Sequence, residues 1–292
     1  MSTDSAALHY DTIARAIAFV RARPRHTPPS GAVAEALGLD LGQWQQVLAE
    51  WAGITPERFL HCLGRAYARE RLSPTPERLP ERDAGDLAPS DLARAVPLTW
   101  EPMPPASGRT VALGHGLAAT PFGDALLAWT TRGVCHLAFR CRDEAALLVE
   151  LRSLWSAAAL VRDDAHAHRL AQRIFPSRAP STPVAAATGA SGPAEAANPA
   201  PGGVHLILRG TPFQVRVWSA LMRIPPGRLM SYRQLATLLG MPAAPRSVGS
   251  AIAANTLGYL VPCHRLIRAD GDAGEFRWGR ERKLAMLAWE AT

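Results

Sequence analysis

Cysteine is scarce in this 292-residue sequence. Its four cysteines are scattered, with no CxxC pair: Cys62, Cys135, Cys141 and Cys263. Small domains held together by disulfides and four-cysteine zinc sites both need closely spaced cysteines. The pattern therefore excludes those two classes and is typical of a reducing compartment. Cys135 and Cys141, in or beside a predicted strand, are expected to be buried structural thiols.

Long apolar runs and cofactor motifs are also missing. No apolar stretch approaches the ~20 residues that span a bilayer. The N-terminal Met1-Ser2-Thr3-Asp4 lacks the basic-then-apolar pattern of a signal peptide. The sequence has no phosphate-binding loop and no metal-ligand spacing. We therefore expect a cytoplasmic protein with no membrane partner, no bound metal and no cofactor.

Positive charge, in contrast, is in excess. The net charge is +7 and the isoelectric point is about 9.9, and arginine supplies almost all of the positive charge. A basic protein fits a polyanionic partner such as nucleic acid. A GC-rich genome also favours arginine codons, so charge alone leaves both explanations open.

The apolar and proline patterns divide an α+β chain into three folded blocks. We predict a helical block at 1–75, a linker at 76–107, and an α+β unit at 108–176 whose helices pack on a small antiparallel sheet. Residues 177–203 are almost entirely Ala, Pro, Gly, Ser and Thr, and are predicted to be a disordered insert because they bury too little apolar surface. The last block covers 204–292.

The first block has the pattern of a helix-turn-helix unit. A predicted helix over 31–37 ends at Gly38, and a second covers 41–52. Gly53 stops that helix, and Thr55-Pro56 begins the next one. The stretch resembles the AraC-type regulators, which have two such units where this block has one. The candidate recognition helix carries Gln43, Gln45 and Gln46 but no Lys or Arg. The block is therefore interpreted either as a unit that reads DNA or as a helical adapter that does not bind DNA.

The last block contains a second helix-turn-helix pattern. Ser231 and Gln234 form a capping box for a helix that ends at Gly240. The next helix, predicted at 246–254, has an arginine and three small residues on one face. Small side chains allow the close approach either of another helix or of DNA. That face consists of Arg246, Gly249, Ser250 and Ala253.

Near the C-terminus, Pro262-Cys263-His264-Arg265 places a thiol next to an imidazole. A free thiol has a pKa of ~8.5 and needs suitable neighbours to become a nucleophile. Adjacent side chains on an extended segment point apart, so we expect a water between Cys263 and His264 instead of direct contact. Arg265 is expected to pair with a carboxylate.

Together with Asn255 and Glu290, this motif resembles the active-site signature of the O6-alkylguanine-DNA alkyltransferases, the methylated-DNA–protein-cysteine methyltransferases. The resemblance implies a ribonuclease H-like part followed by a winged-helix-like part. It implies catalytic roles for Cys263, His264, Glu290 and Asn255. It also implies substrate or DNA contacts for Tyr232, Arg246, Gly249, Ser250, Leu266 and Trp278.

The resemblance implies a reaction as well. In the family, the thiolate takes the alkyl group from O6-alkylguanine in double-stranded DNA. The small-residue helix enters the minor groove, and the arginine that matches Arg246 fills the space left by the flipped nucleotide. A thioether does not hydrolyse, so a monomer would act once and without a cofactor. Two departures are Thr256, where many members have Pro, and Arg277, where some have Ser.

Three functions remain open. The first is repair of O6-methylguanine, with O4-methylthymine as a second candidate substrate. The second is transcriptional regulation with the transferase part as a sensor, because the order of blocks resembles the C-terminal portion of the adaptive-response branch, Ada. Ada's four-cysteine zinc domain has no counterpart before the first helix, so phosphotriester sensing is not expected. The third is a cysteine hydrolase, which would need an oxyanion hole that the sequence does not reveal.

Overall fold

The computed structural model describes residues 9–23, 26–72, 98–103, 111–141, 143–176 and 203–291. Within these ranges the chain forms eleven α-helices and two β-sheets, which confirms the α+β class. The ribonuclease H-like and winged-helix-like comparisons stay predictions. The predicted disordered insert, except for Gly203, and most of the predicted linker lie outside the described residues. No helix in the described part combines the length and apolarity needed to cross a membrane.

The described part of the N-terminal block contains five helices, and the predicted stop and start signals hold. Gly38 and Gly53 adopt left-handed conformations, with φ of 74° and 69°, and each ends a helix. The Thr55 hydroxyl accepts a hydrogen bond from the backbone N–H of Arg58, and Pro56 occupies the first turn. The helices are α1 (Tyr10–Arg21), α2 (Ser30–Leu37), α3 (Leu41–Ala52), α4 (Pro56–Cys62) and α5 (Arg65–Arg71).

A six-stranded mixed sheet lies at the centre of the chain. Its strand order is β1-β6-β4-β3-β2-β5, and two helices follow β4 and β5. The strands are β1 (Leu98–Pro102), β2 (Ala112–Ala118), β3 (Ala125–Trp129), β4 (Val134–Phe139), β5 (Ala159–Arg162) and β6 (Val204–Leu208); the helices are α6 (Glu144–Leu154) and α7 (Asp164–Ile174).

The prediction of an antiparallel sheet was wrong for part of this sheet. Strands β2, β3 and β4 pair antiparallel because tight turns connect them. The pairs β1–β6, β4–β6 and β2–β5 are parallel. Parallel neighbours need a long crossover, and α6 and α7 lie in the segments that lead to β5 and β6.

Two edge strands were missed by sequence reasoning. Strand β1 lies inside 76–107, the segment predicted as a linker. Among the described strands it pairs only with β6, and a proline such as Pro102 is tolerated in such an edge strand. Strand β5 is largely exposed and so lacks an apolar pattern. Cys141 is exposed, contrary to the expectation of a buried thiol, because it lies beyond the end of β4; Cys135, within β4, is buried.

The C-terminal block supplies the elements around the predicted active site. The predicted capping box is present: the Ser231 hydroxyl accepts from the Gln234 backbone N–H, and the Gln234 side chain accepts from the Ser231 N–H. A single 3-10 turn spans Cys263–Arg265. The remaining elements are α8 (Pro212–Met222), β7 (Met230–Ser231), α9 (Tyr232–Leu238), α10 (Pro245–Ala253), β8 (Leu266–Ile267) and α11 (Arg280–Glu290).

Helix α11 packs between the N-terminal helices and the rest of the chain. All residues from Arg282 to Glu290 are buried. The indole of Trp51 contacts that of Trp289 edge-on, with ring centroids 5.4 Å apart, and donates a hydrogen bond of 2.8 Å to the Pro121 carbonyl. Arg58 donates to the carbonyl of Ala291 at 2.9 Å. The N-terminal helices thus share one apolar core with the helix that ends at Glu290.

Candidate active site

Asn255 fixes both the Cys263 thiol and the loop that leads to it. The Asn255 amide nitrogen donates to the Cys263 sulfur at 3.2 Å and to the Val261 carbonyl at 3.1 Å. Its oxygen accepts from the Leu257 backbone N–H at 2.9 Å. Both side chains are buried. The amide therefore holds the loop closed and directs an N–H at the sulfur, where a thiolate would gain a hydrogen bond.

Glu290 joins His264 and Arg265 in a buried network. His264 Nε2 lies 2.9 Å from Glu290 Oε1, and Arg265 donates to both carboxylate oxygens, at 2.7 and 2.8 Å. Arg265 also donates to the Ile224 carbonyl. Burial alone would raise the pKa of Glu290, but Arg265 and then His264 outweigh burial and hold that pKa well below its usual range. The carboxylate is therefore ionised, and Arg265 has the carboxylate partner that its sequence context predicted.

The geometry of His264 leaves one ring nitrogen available. Because Nε2 faces the Glu290 carboxylate, Nε2 carries the proton and Nδ1 is the acceptor in the neutral ring. Nδ1 is buried and has no hydrogen-bond partner among the described residues. Burial lowers the pKa of His264 and so favours the neutral form, although Glu290 opposes this. The ring stacks on Tyr259, with centroids 5.4 Å apart and planes within 2°.

Lys283 is a site residue that sequence reasoning missed. It is the only lysine in the chain, its side chain is completely buried, and its ammonium donates to the Leu266 carbonyl. Burial lowers the pKa of Lys283 to about 8, while the nearby Cys263 opposes that shift. The sequence carries no signal for this role, because the burial of Lys283, rare for a lysine, is visible only in the folded chain.

The Cys263 thiol experiences opposing effects. Burial raises its pKa, whereas the Asn255 N–H and then the charge of Lys283 lower it. The site therefore holds a protonated thiol at neutral pH, with groups in place that stabilise the thiolate once the proton leaves. This arrangement can support nucleophilic attack when a base such as His264 accepts the proton.

The predicted substrate and DNA contacts lie on several elements. Tyr232 begins α9, and burial and then the charge of Cys263 raise the pKa of its hydroxyl, so it lies near the thiol. On α10, Val248, Ala251 and Ile252 are buried, while the opposite face is open to solvent to different degrees. On that face Arg246, Ser250 and Ala253 are exposed and Gly249 is half-buried.

Leu266 and Trp278 are both buried. Leu266 in β8 is fully inaccessible, and Trp278 packs edge-on against Phe139 with centroids 5.8 Å apart. The adjacent Arg277 donates to the Ala253 carbonyl at 3.1 Å and pairs with Glu150 of α6. The segment 275–279 is thereby tied to the end of α10.

Comparison with known proteins places these residues in a family context. Residues 212–292 match the model of the 6-O-methylguanine DNA methyltransferase, DNA binding domain. Over 185 residues the chain is 36% identical to the bifunctional transcriptional activator/DNA repair enzyme Ada of Escherichia coli, covering 63% of this chain and 47% of Ada. Over 87 residues it is 47% identical to a methylated-DNA–protein-cysteine methyltransferase of Mycobacterium tuberculosis, covering 30% of this chain and 53% of that protein.

The chain thus spans about half the length of the curated relatives it matches. Among solved structures, the chain is similar to Mycobacterium tuberculosis OGT in complex with DNA, with 27% identity and a TM-score of 0.44. That match covers 61% of this chain and 92% of the solved chain.

Proposed function

We propose that this chain, whose residues 212–292 match the family model of the 6-O-methylguanine DNA methyltransferase, DNA binding domain, repairs alkylated DNA. It transfers the methyl or other alkyl group from O6-alkylguanine to the sulfur of Cys263. The observation that carries the proposal is the buried thiol held by Asn255 beside the His264–Glu290 pair. O4-methylthymine is a second candidate substrate, and the proposed location is the cytoplasm.

The proposed reaction begins with proton transfer from Cys263. His264 Nδ1 accepts this proton through a bridging water, and Glu290 stabilises the resulting imidazolium. The Asn255 N–H and Lys283 stabilise the thiolate. The sulfur then attacks the alkyl carbon as the bond between carbon and O6 breaks, and its electrons remain on the guanine. Tyr232 lies near the thiol and supplies a hydroxyl that can donate to the departing base.

The product explains why the proposed reaction is stoichiometric. The alkyl group remains on Cys263 as a thioether, which has no acidic proton and no leaving group. A thioester or a disulfide could be hydrolysed or reduced, but a thioether is stable in water. We therefore propose that each monomer acts once, with no metal or cofactor.

Helix α10 supports a proposal for how the DNA is bound. A Cβ added at Gly249 would meet no atom within 4 Å, so packing within the chain does not require glycine there. A surface that approaches the minor groove closely does require small side chains. We propose that α10 enters the minor groove and that Arg246 occupies the gap left by the flipped nucleotide.

Intact-mass measurement tests this function directly. After incubation with a duplex that contains one O6-methylguanine, the protein should gain the mass of one methylene unit, and peptide mapping should place it on Cys263. A second addition of methylated duplex should cause no further gain or repair. A Cys263→Ala variant that still accepts the methyl group would refute the assignment, and repeated turnovers would favour a hydrolase.

A second candidate function follows from the α2–α3–α4 unit. Its left-handed turn at Gly53 and the capped start of α4 are features of a helix-turn-helix. The full chain would then act as a transcriptional regulator with the transferase part as its sensor. Selection from random duplexes should recover one sequence bound at least ~10³-fold more tightly than unrelated DNA. Only weak, salt-sensitive binding to every sequence would argue against this function.

A further inference from the structure

Helix α5 is attached to the same small sheet that positions Tyr232. Strands β7 and β8 pair in parallel, with Ser231 opposite Ile267, so the chain continues on each side into Tyr232 and Arg268. Leu72, just after α5, forms a parallel bridge with Leu229, and the Leu229 N–H donates to the Arg71 carbonyl at 3.1 Å. The end of α5 therefore extends the sheet that carries the proposed base-binding tyrosine.

The beginning of α5 is held against the loop that follows β8. A Cβ at Gly271 would lie 2.7 Å from the Arg65 carbonyl, and Gly271 has a φ of +84°, so only glycine fits this close approach. Arg65 pairs with Asp272 at 3.0 Å and with Asp270 at 3.7 Å. Arg69 Nε donates to the Asp270 carbonyl at 2.8 Å. Both ends of α5 are thus fixed relative to Tyr232.

These contacts leave a cationic surface beside the proposed DNA-binding site. Arg69, Arg228 and Arg268 are exposed, and none of them has an ion pair among the described residues. The acidic groups nearby are Asp270 and Asp272, which Arg65 and Arg280 already neutralise, and the exposed Glu70 and Glu275. The surface therefore keeps a net positive charge, which suits a phosphate backbone better than a protein or an apolar ligand.

Only a short chain segment separates Tyr232 from Leu229, the residue that bridges to Leu72 at the end of α5. Leu229, bonded to the end of α5, lies three residues before Tyr232, which corresponds to ~10 Å along an extended chain. A duplex carries one phosphate charge per ~1.7 Å of its axis. A duplex whose extruded base is held at Tyr232 would therefore carry closely spaced phosphates past the end of α5.

We propose that Arg69 of α5 contacts a backbone phosphate of the same duplex that α10 enters, so that the N-terminal block enlarges the lesion-binding surface independently of base sequence. The inference rests on the proposed function, because that function places the duplex beside Tyr232 and α10. Arg65 anchors α5 through its carboxylate partners. Arg69, whose Nε also donates to the Asp270 carbonyl, adds an exposed guanidinium to the positive surface that includes Arg268.

The salt dependence of binding tests the proposal in the full-length chain. Fluorescence anisotropy with unmethylated duplexes of two unrelated sequences, over a series of KCl concentrations, gives the slope of log Kd against log salt. Arg69→Gln should reduce that slope by about 0.9, the value for one lost phosphate contact, and weaken binding several-fold. Arg69→Lys should restore most of the slope. Glu70→Gln, which removes an exposed acidic group from the same helix, should strengthen binding.

A matched control and a second readout separate this proposal from the proposed function. Arg152→Gln on α6 removes the same charge from another exposed helical arginine and should leave the slope unchanged. Arg152→Gln should also transfer the methyl group at the wild-type rate, whereas Arg69→Gln should need a higher concentration of methylated DNA to reach its full rate. An unchanged slope in Arg69→Gln, or a loss confined to one base sequence, would overturn the inference. A wild-type chain that binds DNA without accepting a methyl group would instead refute the proposed function.

Discussion

Cys135 and Cys263 are both buried thiols, and burial raises the pKa of each, that of Cys135 to about 12. Their neighbours differ. Cys135 donates to the Ala128 carbonyl at 3.4 Å, a contact that favours the protonated thiol. Cys263 instead receives an N–H from Asn255 and lies near Lys283. Burial alone therefore makes a thiol inert, and reactivity depends on donors and a base placed around the sulfur.

The largest expected difference between the two thiols is in methyl transfer when each sulfur is removed in turn. Cys263→Ala should abolish methyl transfer, because it removes the acceptor atom. Cys135→Ala should keep transfer near the wild-type rate, with a modest loss of stability from the small cavity. Single-turnover measurements with methylated duplex would show both results. Loss of transfer in a folded Cys135→Ala variant would show that the two sites are coupled.

The next largest effects should come from substituting His264, the proposed base, and Glu290, the carboxylate that orients it. His264→Gln should slow transfer by about 10²–10⁴-fold, because the thiol loses its proton acceptor. Glu290→Ala should also cost about 3–5 kcal/mol of unfolding free energy, because Arg265 is left buried without its carboxylate.

Glu281 on the same helix provides the matched control for Glu290. It pairs with Arg21 at the surface, so Glu281→Ala should cost about 0–1 kcal/mol and leave transfer unchanged. Denaturant unfolding and single-turnover rates distinguish the two positions. Equal losses of stability at both positions would contradict the buried network.

Asn255→Ala should have a smaller but distinctive effect. The thiolate loses a hydrogen bond worth about 1–3 kcal/mol, which corresponds to a rate about ten- to a hundredfold lower near neutral pH. Because the pKa of Cys263 is already raised, the wild-type rate should increase as the pH rises and more thiolate forms. In the variant this pKa rises further, so its rate profile should move to higher pH. An unshifted profile would mean that Asn255 serves only to close its loop.

Lys283→Met should give the smallest effect, a several-fold loss of rate near neutral pH. The ammonium stabilises the thiolate only while it is charged, and its pKa is about 8. As the pH rises through that value, the wild type loses this assistance and the ratio of wild-type to variant rate should fall toward one. A ratio that stays constant across this range would show that Lys283 acts through packing and its bond to the Leu266 carbonyl.

Local features of the fold followed from the sequence, whereas long-range ones did not. The helix ends at Gly38 and Gly53 and the capping box at Ser231 depend on a few adjacent residues, so pattern reasoning found them. The parallel pairing of β1 with β6 joins segments that are far apart in the chain and has no local signature.

The same distinction holds for the candidate site. The short motif around Cys263 indicated the thiol and the imidazole, and the family resemblance pointed to Asn255 and Glu290. Lys283 was missed because its importance comes from a tertiary contact with Leu266. Tyr259 was also missed: its φ of 65° is unusual for a tyrosine, and only the folded chain shows that its ring stacks on His264.

The contact between Trp51 and Trp289 has a consequence for deletions at the N-terminus of the protein. A deletion that removed the first helices would expose the indole next to Glu290 and leave an apolar face on α11 in water. The shortened product would be prone to aggregate, and the carboxylate that orients His264 would lie at a frayed helix end. The N-terminal helices and the thiol site are therefore expected to be inherited together. A variant that lacks the N-terminal helices would need polar substitutions on the exposed face of α11.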